Sequence, residues 1–155
     1  MAGKWRETVT ANQRTIFIYG TLREACGHPM HELLAGHSLL LGNGSTPGEL
    51  YDLGDYPGIL IRAGSDCRTH GELYEINPMD EVELWKTLDD YEGCGADDPE
   101  PHLYSRSLIS VTLNDGSDCE AWTYALRQLP VSAKLISSGD YVAWKRLTIA
   151  DKQFV

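Results

Sequence analysis

Frequent glycine and proline residues divide this chain into short segments, and this punctuation limits the folds that it can adopt. Such residues mark turns, because glycine tolerates backbone angles that other residues avoid and proline cannot donate a backbone hydrogen bond. We predict turns at Gly42-Asn43-Gly44, Pro47-Gly48, Pro57-Gly58 and Gly64. The segments between them are rich in β-branched, aromatic and aliphatic residues, which is typical of strands. The predicted strands are 15–19, 39–41, 49–51, 58–61 and 71–76.

Two alternating segments later in the chain predict a β-hairpin. They span 105–113 and 119–126, and Asn114-Asp115-Gly116 lies between them. Asp-Gly between alternating segments is a strong local signal for a hairpin. This part of the sequence therefore adds two adjacent antiparallel strands.

Few helices accompany these strands. We predict a short helix over 29–35 that stops at Gly36, and a second that begins at Asn77 as N-cap with Pro78 in the first helical position. Many short strands with two or three helices predict an α+β fold on a strongly curved or closed sheet. At 155 residues we expect one domain over 15–145, with tails at 1–14 and 146–155.

Charge and cysteine content limit the partners and the compartment. The chain carries 23 acidic and 13 basic residues, for a formal charge of −10, which disfavours nucleic acid and anionic lipid surfaces. The first 14 residues lack the continuous apolar core of a signal peptide or membrane anchor. The four cysteines are widely spaced, which favours reduced thiols and a cytoplasmic protein. We expect no nucleic-acid or membrane partner, and a monomer or weak homodimer.

The end of the second predicted helix carries a candidate general base. Leu84, Trp85 and Leu88 form its apolar side, and Glu92 follows Leu88 by one helical turn, with Gly93 placed to end the helix. A carboxylate held against apolar side chains loses hydration, which raises its pKa and makes it a better proton acceptor at neutral pH. A glutamate at a helix end is more often solvated, so the spacing alone favours a surface glutamate over a general base.

The turn after the first strand is a candidate anion-binding loop. The strand ends at Tyr19 and is followed by Gly20, Thr21 and Leu22. A glycine followed by a small hydroxyl residue can present successive backbone N–H groups to a cavity, where they bind a carbonyl oxygen or a carboxylate. Taken alone, the segment is better interpreted as an ordinary tight turn.

Other chemistries have weaker support. No phosphate-binding Gly-Lys-Ser/Thr loop is present in the sequence, which argues against nucleotide hydrolysis. One local cluster suggests a metal site, but Pro29 interrupts it and no second pair of ligands has zinc spacing, so we expect no metal. Cys94 with His102 could form a nucleophile and base, yet the acidic neighbours of this thiol would raise its pKa. The residues of the metal-like cluster are Cys26, His28, His31 and Glu32.

In combination, these motifs resemble the γ-glutamylcyclotransferase-like family, also called the AIG2-like family. Within it, the Leu-Asp-Asp-Tyr-Glu pattern is most similar to the γ-glutamylamine cyclotransferase branch. The motifs that carry the resemblance are Tyr19-Gly20-Thr21-Leu22, Leu88-Asp89-Asp90-Tyr91-Glu92-Gly93 and Tyr104-Ser105-Arg106, with further support from 56–58, 71–74, 122–124 and 138–141.

The resemblance implies a small mixed β-barrel flanked by short helices, with a cavity at one mouth. It implies an enzyme in which Glu92 is the catalytic acid and base and no cofactor takes part. The substrate is a small γ-glutamyl compound that closes on itself to 5-oxoproline and releases an amine. The substrate-binding residues that the resemblance implies are Tyr19, Gly20, Thr21 and Leu22, with Tyr124 and Arg106 lining or bracing the pocket.

Three alternatives and one departure stay open. The fold could bind a small metabolite without turning it over, the γ-glutamyl group could belong to a protein or a carrier, or the protein could be purely structural, for which nothing specific argues. The departure is an acidic insertion over 95–102, which separates Glu92 from the Tyr-x-Arg element. The acidic loop of residues 94–101 could act as a lid, and its charge would favour neutral or cationic leaving amines.

Overall fold

The computed structural model describes residues 14–153, and the first 13 residues, where most of the predicted N-terminal tail falls, lie outside them. Seven strands and three α-helices are present in this range. Short 3₁₀ turns occupy Glu24–Cys26 and Pro78–Asp80. The elements in chain order are β1 (Thr15–Ile18), α1 (Pro29–Gly36), β2 (Ser38–Asp52), β3 (Pro57–Ile61), β4 (Arg68–Ile76), α2 (Glu81–Tyr91), β5 (Tyr104–Leu113), β6 (Asp118–Leu126), β7 (Lys134–Leu135) and α3 (Tyr141–Gln153).

Five strands close into a barrel in the order β1-β4-β2-β3-β6, and β6 returns to β1. The pairs β1–β6 and β3–β6 are parallel and the other pairs of the ring are antiparallel, so the barrel is mixed. β5 extends β6 as the predicted hairpin, and β7 pairs with the end of β2. The expected α+β fold with a small mixed barrel and short helices is confirmed.

The prediction of two turns between 41 and 49 is wrong, because β2 is one strand of 15 residues. The register between β2 and β4 shifts between Leu40 and Gly42, so one glycine of the predicted turn lies at a β-bulge. A Cβ on Gly44 would lie 2.6 Å from the carbonyl oxygen of Thr112, so this glycine lets β5 approach. Here glycine bends a strand around the barrel instead of ending it.

The start of the second helix also differs from the prediction. Asn77 precedes the 3₁₀ turn, and its side chain makes no capping hydrogen bond to the backbone. Its amide lies 3.4 Å from the carboxylate of Asp80, which is the N-cap residue of α2. The first helix ends at Gly36, as predicted. The last helix continues to Gln153 and so crosses the boundary that we placed after residue 145.

The short β1 strand is buried on both faces and connects two parts of the core. Ile16 and Ile18 pack in a cluster that includes Leu84 and Leu88 of α2. Phe17 lies in a second cluster, made mainly by side chains from β2 to β6. This burial holds the end of β1 between the barrel and α2, and the loop Gly20–Leu22 follows it.

Candidate active site

A cavity of about 420 Å³ opens where β1 ends, beside the C-terminal end of α2. Its walls are mostly aromatic and aliphatic, and Glu92 is the only acidic or basic side chain among its described lining residues. A concave, mainly apolar pocket with few polar groups is the usual form of a small-molecule site. The lining residues are Phe17, Ile18, Tyr19, Gly20, Thr21, Leu22, Tyr56, Pro57, Tyr91, Glu92, Gly93, Leu103, Tyr104, Thr123 and Tyr124.

Two carbonyl groups of the loop Gly20–Leu22 accept hydrogen bonds that hold the loop in place. The carbonyl oxygen of Gly20 accepts a hydrogen bond from the Arg23 N–H (3.0 Å), which closes a tight turn. The oxygen of Leu22 accepts one from Nδ1 of buried His31 (2.8 Å). Within residues 14–153, the N–H groups of Gly20, Thr21 and Leu22 have no protein acceptor. Successive unpaired backbone N–H groups beside a cavity are the donors that an anion-binding loop uses.

Position 20 requires glycine because the Pro57 ring lies too close to the backbone for a side chain. A Cβ at this position would lie 2.7 Å from Cγ of Pro57, which also lines the cavity. Real Cβ atoms do not approach other atoms so closely, and the proline ring cannot easily move away. The tight contact places the loop directly against the start of β3.

Glu92 is the C-cap residue of α2, and the helix ends in a Schellman motif. Gly93 adopts φ +74°, its N–H donates to the Asp90 carbonyl (3.2 Å), and the Cys94 N–H donates to the Asp89 carbonyl (2.9 Å). This local geometry follows from the glycine, because a left-handed conformation is costly for other residues. The predicted helix end at Gly93 is confirmed, and it directs Glu92 into the cavity.

The Glu92 carboxylate is desolvated and unpaired. Burial raises its pKa from 4.5 to about 7. In the described part of the chain, its oxygens make no hydrogen bond or ion pair with a side chain that would counter this effect. The ionised form is therefore accessible at neutral pH but poorly stabilised, as expected of a proton acceptor that awaits a cationic ligand.

Two tyrosines that we predicted as pocket residues line the cavity. The Tyr19 hydroxyl donates to the carbonyl of Tyr124 (2.6 Å) and accepts from the N–H of Ile59 (3.2 Å). The Tyr124 hydroxyl donates to Oδ1 of Asp89 (2.6 Å). Burial is the main cause that raises the pKa of both phenols, so they stay neutral and act as hydrogen-bonding walls.

Arg106, which we predicted to line or brace the pocket, is not among the described residues that line this cavity. It lies in a neighbouring cleft, with its guanidinium 4.4 Å from the ring centre of Trp85. Its Nη2 atom is 3.3 Å from Oδ2 of Asp89, the carboxylate that holds Tyr124. The tryptophan ring and Asp89 hold the side chain in this cleft, so Arg106 contacts the site only indirectly, through Asp89 and Tyr124.

Other predicted groups have structural roles. Nδ1 of His28 accepts from the Met30 N–H and so caps α1 (3.0 Å). Among the described residues, no group of three or more His, Cys, Asp and Glu side chains could hold a metal ion.

The predicted alternative of a Cys94 nucleophile is not supported by the local electrostatics. Burial, with the charge of Asp89 next, raises the pKa of this thiol to about 11, so its thiolate is scarce at neutral pH. The Nε2 atom of His102 contacts the Asp98 carbonyl (3.1 Å). All four cysteines are free. Of the described residues 94–102, none lines the cavity, although Gly93 and Leu103 on either side do.

Several site residues were missed from the sequence. Tyr56, Tyr91 and Leu103 line the cavity, and Tyr104 lines it while donating its hydroxyl to the Pro57 carbonyl (2.6 Å). Tyr91 carried a signal, since it adjoins Glu92. Tyr56 and Tyr104 lie in motifs that carry the family resemblance, but nothing in the sequence assigned them to the pocket, and Leu103 had no signal.

Comparison with known proteins identifies the family. A family described as "Gamma-glutamyl cyclotransferase, AIG2-like" matches residues 16–143. A Vibrio cholerae relative is 34% identical over 131 residues, covering 83% of this chain and 96% of its own. The Escherichia coli K12 protein "Gamma-glutamylcyclotransferase family protein YtfP" is 33% identical over 128 residues, covering 82% and 95%. A solved mouse AIG2-like protein is 25% identical, with a TM-score of 0.64 and coverage of 84% and 88%. None of the helices in residues 14–153 is long and apolar enough to cross a membrane.

Proposed function

Because this chain belongs to the γ-glutamylcyclotransferase, AIG2-like family, we propose that it cyclises a small γ-glutamyl amide to 5-oxoproline and releases the amine. The observation that carries this proposal is Glu92, a desolvated carboxylate in a cavity with a pKa of about 7. A general base works best when its pKa is close to the working pH.

The proposed reaction is an internal aminolysis. Glu92 takes a proton from the α-ammonium of the substrate, and the free amine attacks the γ-carbonyl carbon. A C–N bond forms to close the five-membered ring, and the carbonyl oxygen becomes an oxyanion. When the oxyanion collapses, the bond to the leaving nitrogen breaks, and Glu92 returns the proton to that nitrogen. The ring nitrogen then gives the second proton that it kept after the attack to the Glu92 carboxylate, which passes it to the released amine, so the products are 5-oxoproline and an ammonium ion. Attacker and target belong to one molecule, so binding the substrate in a folded shape supplies much of the rate enhancement, and we propose that no cofactor takes part.

The backbone N–H groups of Gly20, Thr21 and Leu22 would bind the negative charge of the substrate. No lysine or arginine is among the described lining residues, so these unpaired amides are the natural donors for a carboxylate or an oxyanion. Donors fixed in advance cost no reorganisation when charge develops in the transition state.

The absence of lysine and arginine from the described lining residues also disfavours leaving groups that carry a negative charge. A leaving amino acid would bring its own carboxylate, and no described cation in the cavity would meet it. The rim instead offers Tyr56 and Tyr91, both partly exposed. Aromatic faces attract alkyl chains and ammonium groups. We therefore propose that γ-glutamyl amines, small and soluble, are better substrates than γ-glutamyl amino acids.

The test is release of 5-oxoproline from γ-glutamyl amines, γ-glutamyl dipeptides and γ-glutamyl-ε-lysine, by wild type and Glu92→Gln. Glutamine keeps the shape but cannot accept the proton, so we expect a loss of about 10² or more in kcat. The matched control is Glu83→Gln, an exposed glutamate on the same helix, which should leave turnover unchanged.

The panel also distinguishes the alternatives. Faster turnover of dipeptides than of amines would refute the proposed leaving-group preference. Binding of γ-glutamyl compounds without any turnover would refute the enzymatic proposal and favour a metabolite-binding protein. No binding and no turnover would favour a protein-linked or carrier-linked γ-glutamyl group.

A further inference from the structure

Arg23, whose side chain is largely shielded from solvent, lies directly after the loop Gly20–Leu22 and is not part of the cavity lining. Nη1 of Arg23 is 2.9 Å from Oδ1 of Asp140, and its Nε is 3.4 Å from Oε2 of Glu72. The side chains of Arg23 and Glu72 are only 13% and 10% exposed. These partners are 117 and 49 positions away in the sequence, so the arginine ties the loop to β4 and to the start of α3.

The carboxylate of Glu72 is engaged on several sides. Its Oε1 accepts from the Glu24 N–H (3.1 Å) and from the Tyr74 hydroxyl (2.9 Å). The backbone is therefore held at two consecutive residues, through the side chain of Arg23 and the N–H of Glu24. Asp140 in turn accepts from the N–H of Ala143 in the first turn of α3 (3.1 Å).

Stability alone does not explain such a network. Removing charges from water costs several kcal/mol per ion, and a well-packed apolar replacement of a buried ion pair is often equally stable. What the network does supply is a fixed position for the backbone just after Leu22. The N–H of Arg23 also closes the turn onto Gly20 (3.0 Å), so displacing this residue would rotate the peptide groups of the loop.

We propose that Arg23, held by Glu72 and Asp140, is the positioning residue that keeps the N–H groups of Gly20, Thr21 and Leu22 directed into the cavity. The inference rests on the proposed function, because it gives those donors a ligand to bind. Arg23 is not among the residues that line the cavity, so it acts on the substrate only through the loop.

The decisive variant is Arg23→Met/Glu72→Gln, which removes the Arg23–Glu72 pair without leaving Glu72 as an unpaired charge. Asp140 loses its contact with Arg23, but its side chain is 34% exposed and still accepts from the Ala143 N–H. Glutamine can still accept from Tyr74 and Glu24 through its carbonyl oxygen. The matched control is Arg62→Met/Glu49→Gln. That arginine also pairs with a glutamate that accepts from a tyrosine two positions later, but the pair is more exposed and lies outside the cavity lining.

Two readouts are needed, thermal unfolding and kcat/KM for the best γ-glutamyl substrate. We expect the Arg23 pair variant to be folded with a Tm close to wild type, and its kcat/KM to fall by about tenfold or more, because small displacements of binding groups reduce rates strongly. The control pair should leave kcat/KM unchanged. Equal kcat/KM in wild type and a folded Arg23 pair variant would overturn the proposal.

A third readout separates this proposal from the proposed function. In ¹⁵N-labelled protein, the amide signals of Gly20, Thr21 and Leu22 should move or broaden in the Arg23 pair variant and stay in place in the control. This result would support the positioning role even if wild type turned over no substrate, which would sink only the proposed function. Unchanged loop signals would overturn the positioning role whatever the activity.

Discussion

Replacing Glu92 with glutamine should make the protein more stable at alkaline pH while it removes the proposed activity. The pKa of the carboxyl is 4.5 when solvated and about 7 in the folded protein. Below pH 4.5 the group is neutral in both states and contributes no penalty. Between pH 4.5 and 7 the unfolded chain ionises first, so the free energy of unfolding falls with pH, and the loss is complete above about pH 7.

The size of this effect follows from the shift. One pKa unit corresponds to about 1.4 kcal/mol, which gives up to about 3 kcal/mol for Glu92. Because the side chain is not completely buried, solvent screening reduces the expected value to about 2 kcal/mol. Glutamine is neutral at every pH and should be free of this penalty.

Urea denaturation at pH 4.5 and pH 8 measures the difference. With a slope of about 2 kcal/mol per molar urea, the Gln variant should have a midpoint about 1 M above wild type at pH 8. At pH 4.5 the two midpoints should be close. Glu83→Gln, an exposed substitution on the same helix, should show no such pH-dependent gain.

One result would refute the reasoning: a difference in urea midpoint between the Gln variant and wild type that is the same at pH 4.5 and at pH 8. Glu92 would then be solvated, and nothing would support a general base with a pKa near neutral pH.

Further predictions concern the cavity walls. Gly20→Ala should lower the free energy of unfolding by about 1–3 kcal/mol and reduce turnover, because its Cβ would press on Pro57. Gly36→Ala, where a Cβ meets nothing within 4 Å, should be neutral or slightly stabilising in the same denaturation and turnover assays. Tyr124→Phe should cost about 1–3 kcal/mol in urea denaturation, because it leaves the Asp89 oxygen without its donor at 2.6 Å, and unchanged stability would contradict that role.

Much of the candidate site was predictable because its main elements are local. The apolar residues of α2 and the glycine at its end, Gly93, lie within a few residues of Glu92, and together they predict its position. The hairpin around Gly116 is likewise encoded within four residues, and its φ of +92° shows why glycine is needed. Local rules of this kind depend on backbone sterics and helical period, both of which are visible in the sequence.

Two placements could not be predicted from the sequence, because contacts with distant segments decide them. Gly42 and Gly44 have the signature of a turn, yet they lie in a continuous strand that bends around the barrel. Arg106 follows a pocket residue in the sequence, but tryptophans and Asp89 hold it in the next cleft. In both cases, a partner distant in the sequence decided the outcome.

The sequence by itself determined the strand-rich α+β fold, the helix that presents Glu92 and the loop after β1, because short-range periodicity and glycine sterics specify them. Only the tertiary structure decided that the carboxylate is desolvated and without a partner, which depends on the cavity around it. It also brought Glu72 and Asp140 to Arg23. Closing the barrel joins segments more than 100 positions apart, and no local pattern encodes such contacts.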